Sequence, residues 1–497
     1  MIQSCNKRED DVPAITIQQK GICENLDSIF MLAQGVYLWN EQLPEIGQFN
    51  PRRFFKPGED EISMYRNEIF ELTRYPKIAA THEFYEYNPF KPTSPKYSTI
   101  VSRKSEESGS YNLYNPFGLS IGITNNIVRL IYVDPNSPSG KAGLKRGDQI
   151  VSINGLPIVS EQSFLTQWQK AIDLSFIKFE IINGNSTRRE VRLIAAVYEP
   201  NPVVKAMLLE QESKKIGYIA YNSFTPQLNS EKYLSPVFAS FEQKRIKELI
   251  IDLRYNQGGY QATANFLANL IAPASLNGKV MYNEHYNQQM QAGKAEILKN
   301  YNLLDENNKP IYINGSALTL FDIDYSAPAN ISYFEKNDGL STIKKIYFIV
   351  SSMTASASEL LINVLKPYCD IQIIGVSKEN EEEVYTYGKP VGFFDIPVGQ
   401  FDLYLSMYEI KNAQNIGGYY KGIRADYSVP DDIKNDFGSV SDPAIMFVLN
   451  GSKVKKVGFR DAKLSSRIAS QSSYYLNSVS PSGNVKEVKD LKIKLRE

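Results

Sequence analysis

The chain of 497 residues is 42% hydrophobic and 22% charged, with 55 basic and 55 acidic side chains. This length exceeds the roughly 250–300 residues over which one hydrophobic core keeps growing, so we expect several domains. The balanced charge gives no reason to expect nucleic acid as a partner. Three cysteines and two histidines give no disulfide framework and no metal-ligand spacing, so we predict neither a metal nor another cofactor.

The first residues contain a possible lipid-attachment sequence. Cys5 follows a serine and precedes a polar, charged stretch, as at the junction where bacterial lipoproteins are cleaved and lipidated. No basic and apolar signal segment precedes it, so either residues 1–22 are the remnant of a trimmed leader or the match is accidental. The first alternative predicts a lipid anchor at Cys5 and a periplasmic or outer-membrane-anchored location in a bacterial cell envelope.

Residues 23–90 have the apolar spacing of a helical domain. Leu26, Ile29, Phe30 and Ala33 recur at three- and four-residue steps, and the pattern returns at 62–72. The following Pro- and Ser-rich stretch, 88–98, predicts a linker.

Residues 112–198 form a unit of short strands with one amphipathic helix and a hairpin signal at Asn183-Gly184. The segment AGLKRGDQIVSING (142–155) makes the unit resemble the PDZ domains of proteases. The resemblance implies that backbone N–H groups receive a peptide carboxylate at Gly118, Leu119, Ser120 and Ile121. The same stretch fits the G-x-S-x-G nucleophile pattern at Ser120. A strand rather than a helix follows, which argues against a nucleophile there.

Residues 203–465 alternate strands and helices, with a weakly patterned insertion at about 276–338, and residues 466–497 predict a loosely held tail. Apolar runs predict strands at 215–224, 247–252, 344–352, 370–376, 401–410 and 422–430. The fold class is therefore multidomain α/β.

A strand-to-helix corner at Ser356 is the first candidate for chemistry. Strand residues 344–352 precede it, and Leu360, Leu361 and Val364 share one face of the helix that follows. Ser356 and Glu359 fit the S-x-x-E capping box, in which a serine merely satisfies the first helical amides. A serine in that position is also exposed beside free N–H groups that can stabilise an oxyanion, as a nucleophile requires.

A serine nucleophile needs a base, and histidine is scarce in this chain. A lysine amine made neutral by its surroundings can serve instead. Lys389 is the candidate, because YGKPVG (387–392) surrounds it with small and apolar residues and no carboxylate. Taken alone, Lys389 is better explained as one of the many surface lysines.

The ordered motifs IGYIAYNSF, IIDLRYNQGG, TASASELL and YGK behind a PDZ-like unit resemble the carboxyl-terminal processing (tail-specific) proteases, over roughly residues 112–445. With its helical, lipoprotein-like start, the chain looks like the Bacteroidetes version of that family. The resemblance implies a core similar to the ClpP/crotonase-like fold, with Ser356 as nucleophile and Lys389 as general base. It further implies an oxyanion hole at Gly258 or Gly259 and Ala357, with Arg254 and Asn256 bracing the turn.

Two departures from the family stand out. The separation of Ser356 and Lys389 is longer than usual because of an acidic loop, SKENEEEV (377–384), and the position of the family's orienting glutamine holds Phe393. We expect a serine endopeptidase acting on protein or peptide substrates with free C-termini. The alternative is an inactive PDZ scaffold. Penicillin-binding chemistry at the S-x-x-K pairs Ser341/Lys344 or Ser452/Lys455 is remote, because neither opens an apolar helix.

Overall fold

The computed structural model describes residues 17–103, 116–124, 126–211, 214–305, 309–377, 383–450, 475–477 and 494–496. The N-terminal part is helical, as predicted. Its helices are α1 (Ile17–Val36), α2 (Ile46–Phe49) and α3 (Glu61–Leu72), with 3-10 turns at Asn40–Gln42 and Pro51–Phe54. Their apolar side chains belong to the same buried cluster as the helix after Ser356, so the helical region shares one core with the α/β part.

The stretch predicted as a linker, 88–98, is exposed over residues 89–93, but its end is packed against the core. Tyr97 and Ser98 are buried, and both backbone amides donate to the buried carboxylate of Glu86. Strand β1 (Thr99–Ser102) follows directly and pairs with residues 401–404. Proline and serine give this segment its turns, while Glu86 supplies the acceptor that holds it against the core.

The PDZ-like unit is an antiparallel sheet covered by a helix. Its elements are β2 (Leu119–Thr124), β3 (Ile127–Val133), α4 (Pro138–Lys141), β4 (Gln149–Ile153), β5 (Leu156–Pro157), α5 (Glu161–Ala171), β6 (Phe176–Ile182) and β7 (Arg188–Ile194). Phe164 and Trp168 of α5 are buried in one cluster with the strands. The predicted hairpin joins β6 to β7, with the Asn183 side chain accepting from two amides of the loop.

The remaining elements form the α/β core. They are β8 (Val203–Gln211), β9 (Lys214–Tyr221), α6 (Gln227–Gln243), β10 (Glu248–Asp252), α7 (Gln261–Ile271), β11 (Val280–Tyr286), α8 (Gln288–Gln291), β12 (Tyr312–Ile313), β13 (Ser316–Ala317), β14 (Ile331–Tyr333), β15 (Lys345–Val350), α9 (Ala357–Leu365), β16 (Ile371–Ser377), β17 (Val391–Gly392), β18 (Asp395–Val398), β19 (Phe401–Tyr404), β20 (Tyr408–Asn412), β21 (Tyr427–Pro430), α10 (Pro443–Asn450) and β22 (Tyr475–Asn477).

The main sheet has the order β21-β16-β15-β10-β9-β8, parallel from β9 to β21, with β8 antiparallel at one edge. β10 and β15 are neighbours in its centre. Because the carboxyl ends of parallel strands meet at one edge of a sheet, the turn after β10 lies beside the corner after β15. This pairing brings together two motifs that are about a hundred residues apart in sequence.

The run 401–410 is two strands in two sheets, so the single strand predicted there was wrong. β19 pairs with β1 and β18, whereas β20 pairs with β11 and β17. The chain bends between them, where the Ser406 carbonyl accepts from Leu38 and its amide donates to Ser98. β11 and β14 lie in the region predicted as an insertion, and through β20 they are part of the core.

None of the helices within the described residues is long and apolar enough to cross a membrane.

Candidate active site

Ser356 has a strained backbone at the corner between β15 and α9. Its φ of 55° and ψ of −116° are far from the extended conformation that a capping serine normally adopts. Strained non-glycine residues persist only where their surroundings hold them, and they concentrate at functional sites. Gly258 lies against the corner, since a Cβ there would be 2.7 Å from the Ser356 Cβ. Such a strand-to-helix turn resembles the strained turn on which α/β-hydrolases expose a nucleophile.

The other small polar residues of this motif tie the corner to the turn after β10. Thr354 Oγ1 donates to the Leu253 carbonyl at 2.8 Å, and Ser358 Oγ donates to the Asn256 carbonyl at 3.1 Å. The Ala355 amide donates to the same Asn256 carbonyl. These bonds explain why the sequence has hydroxyl residues on both sides of Ser356.

Glu359 connects the corner to the loop that carries Lys389. Its side chain is fully buried, and Oε2 accepts from the amides of Ser356 at 2.9 Å and Lys389 at 2.8 Å. Oε1 accepts from the Gly388 amide at 2.6 Å and from the Thr386 hydroxyl. The amide nitrogens of Ser356 and Lys389 therefore both lie within hydrogen-bond distance of the same oxygen atom, Glu359 Oε2. Burial raises the pKa of Glu359, and its four donors oppose that rise.

Sequence reasoning assigned Glu359 only to a capping box and expected no carboxylate near Lys389. The Ser356 amide does donate to Glu359, as in that box. The other three donors lie 27 to 30 residues away in sequence, so no local sequence pattern predicted them.

The loop that carries Lys389 is fixed on several sides. The Tyr387 amide donates to the Thr354 carbonyl at 2.8 Å, and the Tyr97 hydroxyl donates to the Gly388 carbonyl. Gly388 has a φ of +87°, and a Cβ there would lie 2.4 Å from the Gly422 amide nitrogen, so glycine is required. Lys389 Nζ lies 4.5 Å from the centroid of the Phe393 ring. The ring thus faces the amine at the position of the family's glutamine.

Lys96 is a second amine beside this loop, which sequence reasoning did not single out. Its Nζ donates to the Tyr420 carbonyl at 2.6 Å and lies 4.8 Å from the centroid of the Tyr387 ring. Burial lowers the pKa of Lys96 to about 8. The only signal in the sequence was its place in the stretch that was interpreted as a linker.

The turn after β10 supplies the amides expected for an oxyanion hole. The Gly258 N–H donates to Asn256 Oδ1 at 2.8 Å, so an anion can use it only if that bond opens. The Asn256 side chain also donates to the Tyr221 carbonyl, which braces the turn. Gly259 has a φ of +142°, and a Cβ there would lie 2.0 Å from the Phe224 carbonyl oxygen. Ala357, the first residue of α9, is buried next to Ser356.

Two protein-family profiles match this part of the chain. The sequence profile of peptidase family S41 matches residues 215–392, which contain Ser356, Glu359 and Lys389, and a PDZ-domain profile matches residues 131–175. The chain is therefore similar to the PDZ-containing carboxyl-terminal processing proteases of family S41. The resemblance seen in the sequence motifs is thereby confirmed.

Two curated relatives come from Bacillus subtilis (strain 168). The carboxy-terminal processing protease CtpA is 28% identical over 210 residues, which are 40% of this chain and 42% of CtpA. CtpB is 25% identical over 177 residues, 33% of this chain and 35% of CtpB. The chain thus covers less than half the length of either relative. A crystal structure described as an S41 protease from Bacteroides fragilis NCTC 9343 shares the fold, with a TM-score of 0.55, 20% identity, and coverage of 85% of this chain and 96% of that one.

A buried ionic cluster joins the PDZ unit to the turn after β10. Arg254 contacts Asp252 at 2.7 Å, Asp442 at 2.9 Å and Asp431 at 3.2 Å. Arg146 of the PDZ unit contacts the same Asp431 at 2.9 Å. Because Arg254 directly precedes the turn, the position of the PDZ unit is tied to the turn through one shared carboxylate.

The predicted peptide-binding residues lie at the start of β2. Gly118 has a φ of +70°, and a Cβ there would lie 2.0 Å from the Ser137 Cβ. Leu119 and Ile121 are fully buried in the PDZ core, and Ser120 is 9% exposed. Leu119, Ser120 and Ile121 therefore lie in β2, which pairs with β3 on one side and with β22 on the other.

Other sequence candidates fall outside this site. Ser341 is exposed, and its hydroxyl and amide both donate to Glu242. Cys5, Ser452 and residues 378–382 of the acidic loop lie outside the described residues. In the part of the chain that the structure describes, no three His, Cys, Asp or Glu side chains are grouped to hold a metal ion.

Proposed function

We propose that the chain is a serine endopeptidase acting through a Ser356–Lys389 dyad. The observation that carries the proposal is the position of Glu359, whose Oε2 binds the amides of both residues. The strained backbone of Ser356 supports it, because a scaffold that only binds peptides has no use for that strain. The match of residues 215–392 to the profile of peptidase family S41 supports the same reaction class.

In the proposed reaction, Ser356 Oγ attacks the scissile carbonyl carbon while its proton passes to Nζ of Lys389, which acts as the general base. The oxyanion accepts hydrogen bonds from the amides of Ala357 and Gly259, or from Gly258 once the Asn256 side chain releases it. Collapse of the intermediate breaks the C–N bond, and the leaving amine takes the proton from Lys389. Water then attacks the acyl-enzyme, giving its proton to Lys389, and restores Ser356. Glu359 positions both residues through their backbones without touching the substrate.

The test is cleavage of an unfolded protein with an apolar C-terminus. We expect Ser356→Ala and Lys389→Ala each to lower kcat/KM by about a thousandfold or more, and the double variant to lose little further, because the two act as a unit. Ser341→Ala and Lys344→Ala are matched controls, since both residues are exposed and away from the site.

The variant Lys96→Met tests which of the two amines, Lys96 or Lys389, is the general base. Full loss of activity in Lys96→Met together with normal turnover by Lys389→Ala would move the base to Lys96 and overturn the dyad. Absence of cleavage by the unmodified chain, with peptide binding retained, would favour the scaffold alternative.

We also propose that the PDZ unit engages the C-terminal segment of a substrate at the edge of β2. An extended peptide can add a strand there, and its terminal carboxylate can meet the loop at Gly118. A charge-assisted hydrogen bond of that kind is worth about 1.5–3 kcal/mol, so a peptide amide should bind about ten- to a hundredfold more weakly than the acid. Titration of both forms against the Ser356→Ala protein checks this, and equal affinities would contradict carboxylate recognition.

From sequence alone we propose a lipid anchor at Cys5 and a location in the cell envelope. The support is the junction-like sequence around Cys5. Mass spectrometry of the protein from its native cells should find a lipid on Cys5 as the first residue. An unmodified Cys5 would contradict the anchor.

A further inference from the structure

A short segment near the C-terminus adds a strand to the PDZ sheet. β22 pairs antiparallel with β2, in the register Ser120 with Asn477, Ile121 with Leu476, and Gly122 with Tyr475. The other side of β2 pairs with β3, so β22 completes the free edge of the sheet. This edge is the one at which the sequence predicts that a substrate peptide binds.

The direction of β22 is that of a C-terminal peptide ligand. Residue numbers in β22 rise as those in β2 fall, so the segment runs toward Gly118. A substrate tail bound in the same direction would bring its terminal carboxylate to the loop at Gly118.

The chain continues beyond this edge. The Asp324 amide donates to the Lys494 carbonyl at 2.8 Å, and the Arg496 amide donates to the Asp322 carbonyl at 3.0 Å. The Arg496 guanidinium also donates to the Met290 carbonyl at 2.8 Å. Residues 494–496 are thus held on the region around β11 to β14. The β2 edge therefore holds an internal segment, which brings no terminal carboxylate to Gly118.

We propose that Tyr475–Asn477 is an intramolecular ligand of the peptide-binding edge, and that a substrate segment must displace it. The inference rests on the proposed use of this edge by substrates. A strand of three residues makes few backbone hydrogen bonds, which lets an incoming peptide replace it. A substrate with a free C-terminus gains the contact at Gly118 that the internal segment lacks. The partner that fits this surface is therefore an extended polypeptide end.

Tethering explains how so short a strand can compete. A ligand on the same chain acts at an effective concentration that reaches millimolar for a suitable connection, far above that of most free peptides. β22 then sets a minimum affinity for substrates. Weakly binding sequences do not displace it, and strongly binding ones do.

The experiment breaks the pairing of β22 in the full-length Ser356→Ala protein. Leu476→Pro together with Asn477→Pro removes two consecutive N–H groups, of which one faces β2 in any antiparallel register. Leu476→Ala with Asn477→Ala is the matched control, which keeps both N–H groups. The probe is a fluorescent peptide of residues 471–480 with an amidated C-terminus, measured by anisotropy.

We expect the proline variant to bind the probe at least about tenfold more tightly than the alanine control, because its edge is empty. Equal affinities of the two variants, with the same melting temperature, would overturn the proposal. A second measurement is hydrogen exchange of the β2 amides, which should be faster in the proline variant without probe and slow again with it. Unchanged exchange would also contradict the proposal. Both readouts use a protein that cannot cleave, so failure of the proposed peptidase activity leaves them intact.

Discussion

The corner at Ser356 and helix α3 each bury a glutamate completely, and the two glutamates have opposite surroundings. Glu359 accepts from three amides and one hydroxyl, while neither side-chain oxygen of Glu68 has a hydrogen-bond partner among the residues that the structure describes. Burial raises the pKa of both carboxyl groups. In Glu359 the donors stabilise the charged form, whereas around Glu68 nothing offsets the loss of water.

Burial alone therefore does not distinguish the two carboxyl groups. The difference lies in the hydrogen-bond donors around them. The donors of Glu359 come from the corner at Ser356 and from the loop that carries Lys389, so its two carboxyl oxygens hold together two parts of the chain. Glu68 lies in the N-terminal helical region. Its burial is unfavourable, and the stability of the shared core tolerates it. The comparison predicts opposite results from the same chemical change at the two positions.

In the buried ionic cluster, every charged group has a partner of opposite charge. Removing one of these charges should have the largest effect on stability. Arg146→Met removes one of the two cations that contact Asp431 and leaves Arg254 alone with three buried carboxylates. We expect a loss of about 3–5 kcal/mol in the free energy of unfolding, because the cluster then holds more uncompensated buried negative charge. Urea unfolding at neutral pH measures it.

Arg189→Met is the matched control, since Arg189 also lies in the PDZ unit but donates to carbonyls rather than to a carboxylate. Similar losses in both variants would mean that the shared carboxylate carries no special weight.

Glu359→Gln gives the next largest effect, on activity. A glutamine presents one amide group in place of an acceptor oxygen, so it cannot accept all four hydrogen bonds and turns an N–H toward other N–H groups. We expect kcat/KM to fall about a hundredfold, mainly through kcat, because the dyad is displaced while substrate binding at the PDZ edge remains.

Glu68→Gln is the control for that variant and should keep the activity of the unmodified protein. A merely structural role for Glu359 would lower the melting temperature without the selective loss of kcat. A Glu359→Gln protein with normal kcat would show that Glu359 is not needed to position the dyad.

Features set by neighbouring residues could be predicted from the sequence, whereas contacts between residues far apart in the chain could not. The corner at Ser356, helix α9 and the PDZ hairpin follow from apolar spacing and turn residues within a few positions, so they were predictable. The partners of Glu359 and the packing of Tyr97 come from residues far along the chain, and no local pattern encodes them. The run 401–410 reads as one alternating strand, although tertiary bonds at Ser406 divide it. The pairing of β22 with β2 was likewise hidden in a Ser- and Lys-rich tail.

The smallest effect is the pH dependence of stability caused by Glu68. Its pKa is raised well above the ordinary value by burial and, to a smaller extent, by Asp27. At a pH below about 4.3, Glu68 is protonated in the folded and unfolded chains alike. As the pH rises from there, the unfolded chain releases this proton first, which stabilises the unfolded state and lowers the free energy of unfolding until the folded group also ionises. Glutamine does not titrate, so the stability of Glu68→Gln relative to the unmodified protein should increase with pH across this window. Chemical unfolding of both proteins from pH 4 to pH 8 measures the difference. A difference that stays constant with pH, or shrinks as the pH rises, would show that Glu68 finds a partner on ionising, and the contrast with Glu359 would then fail.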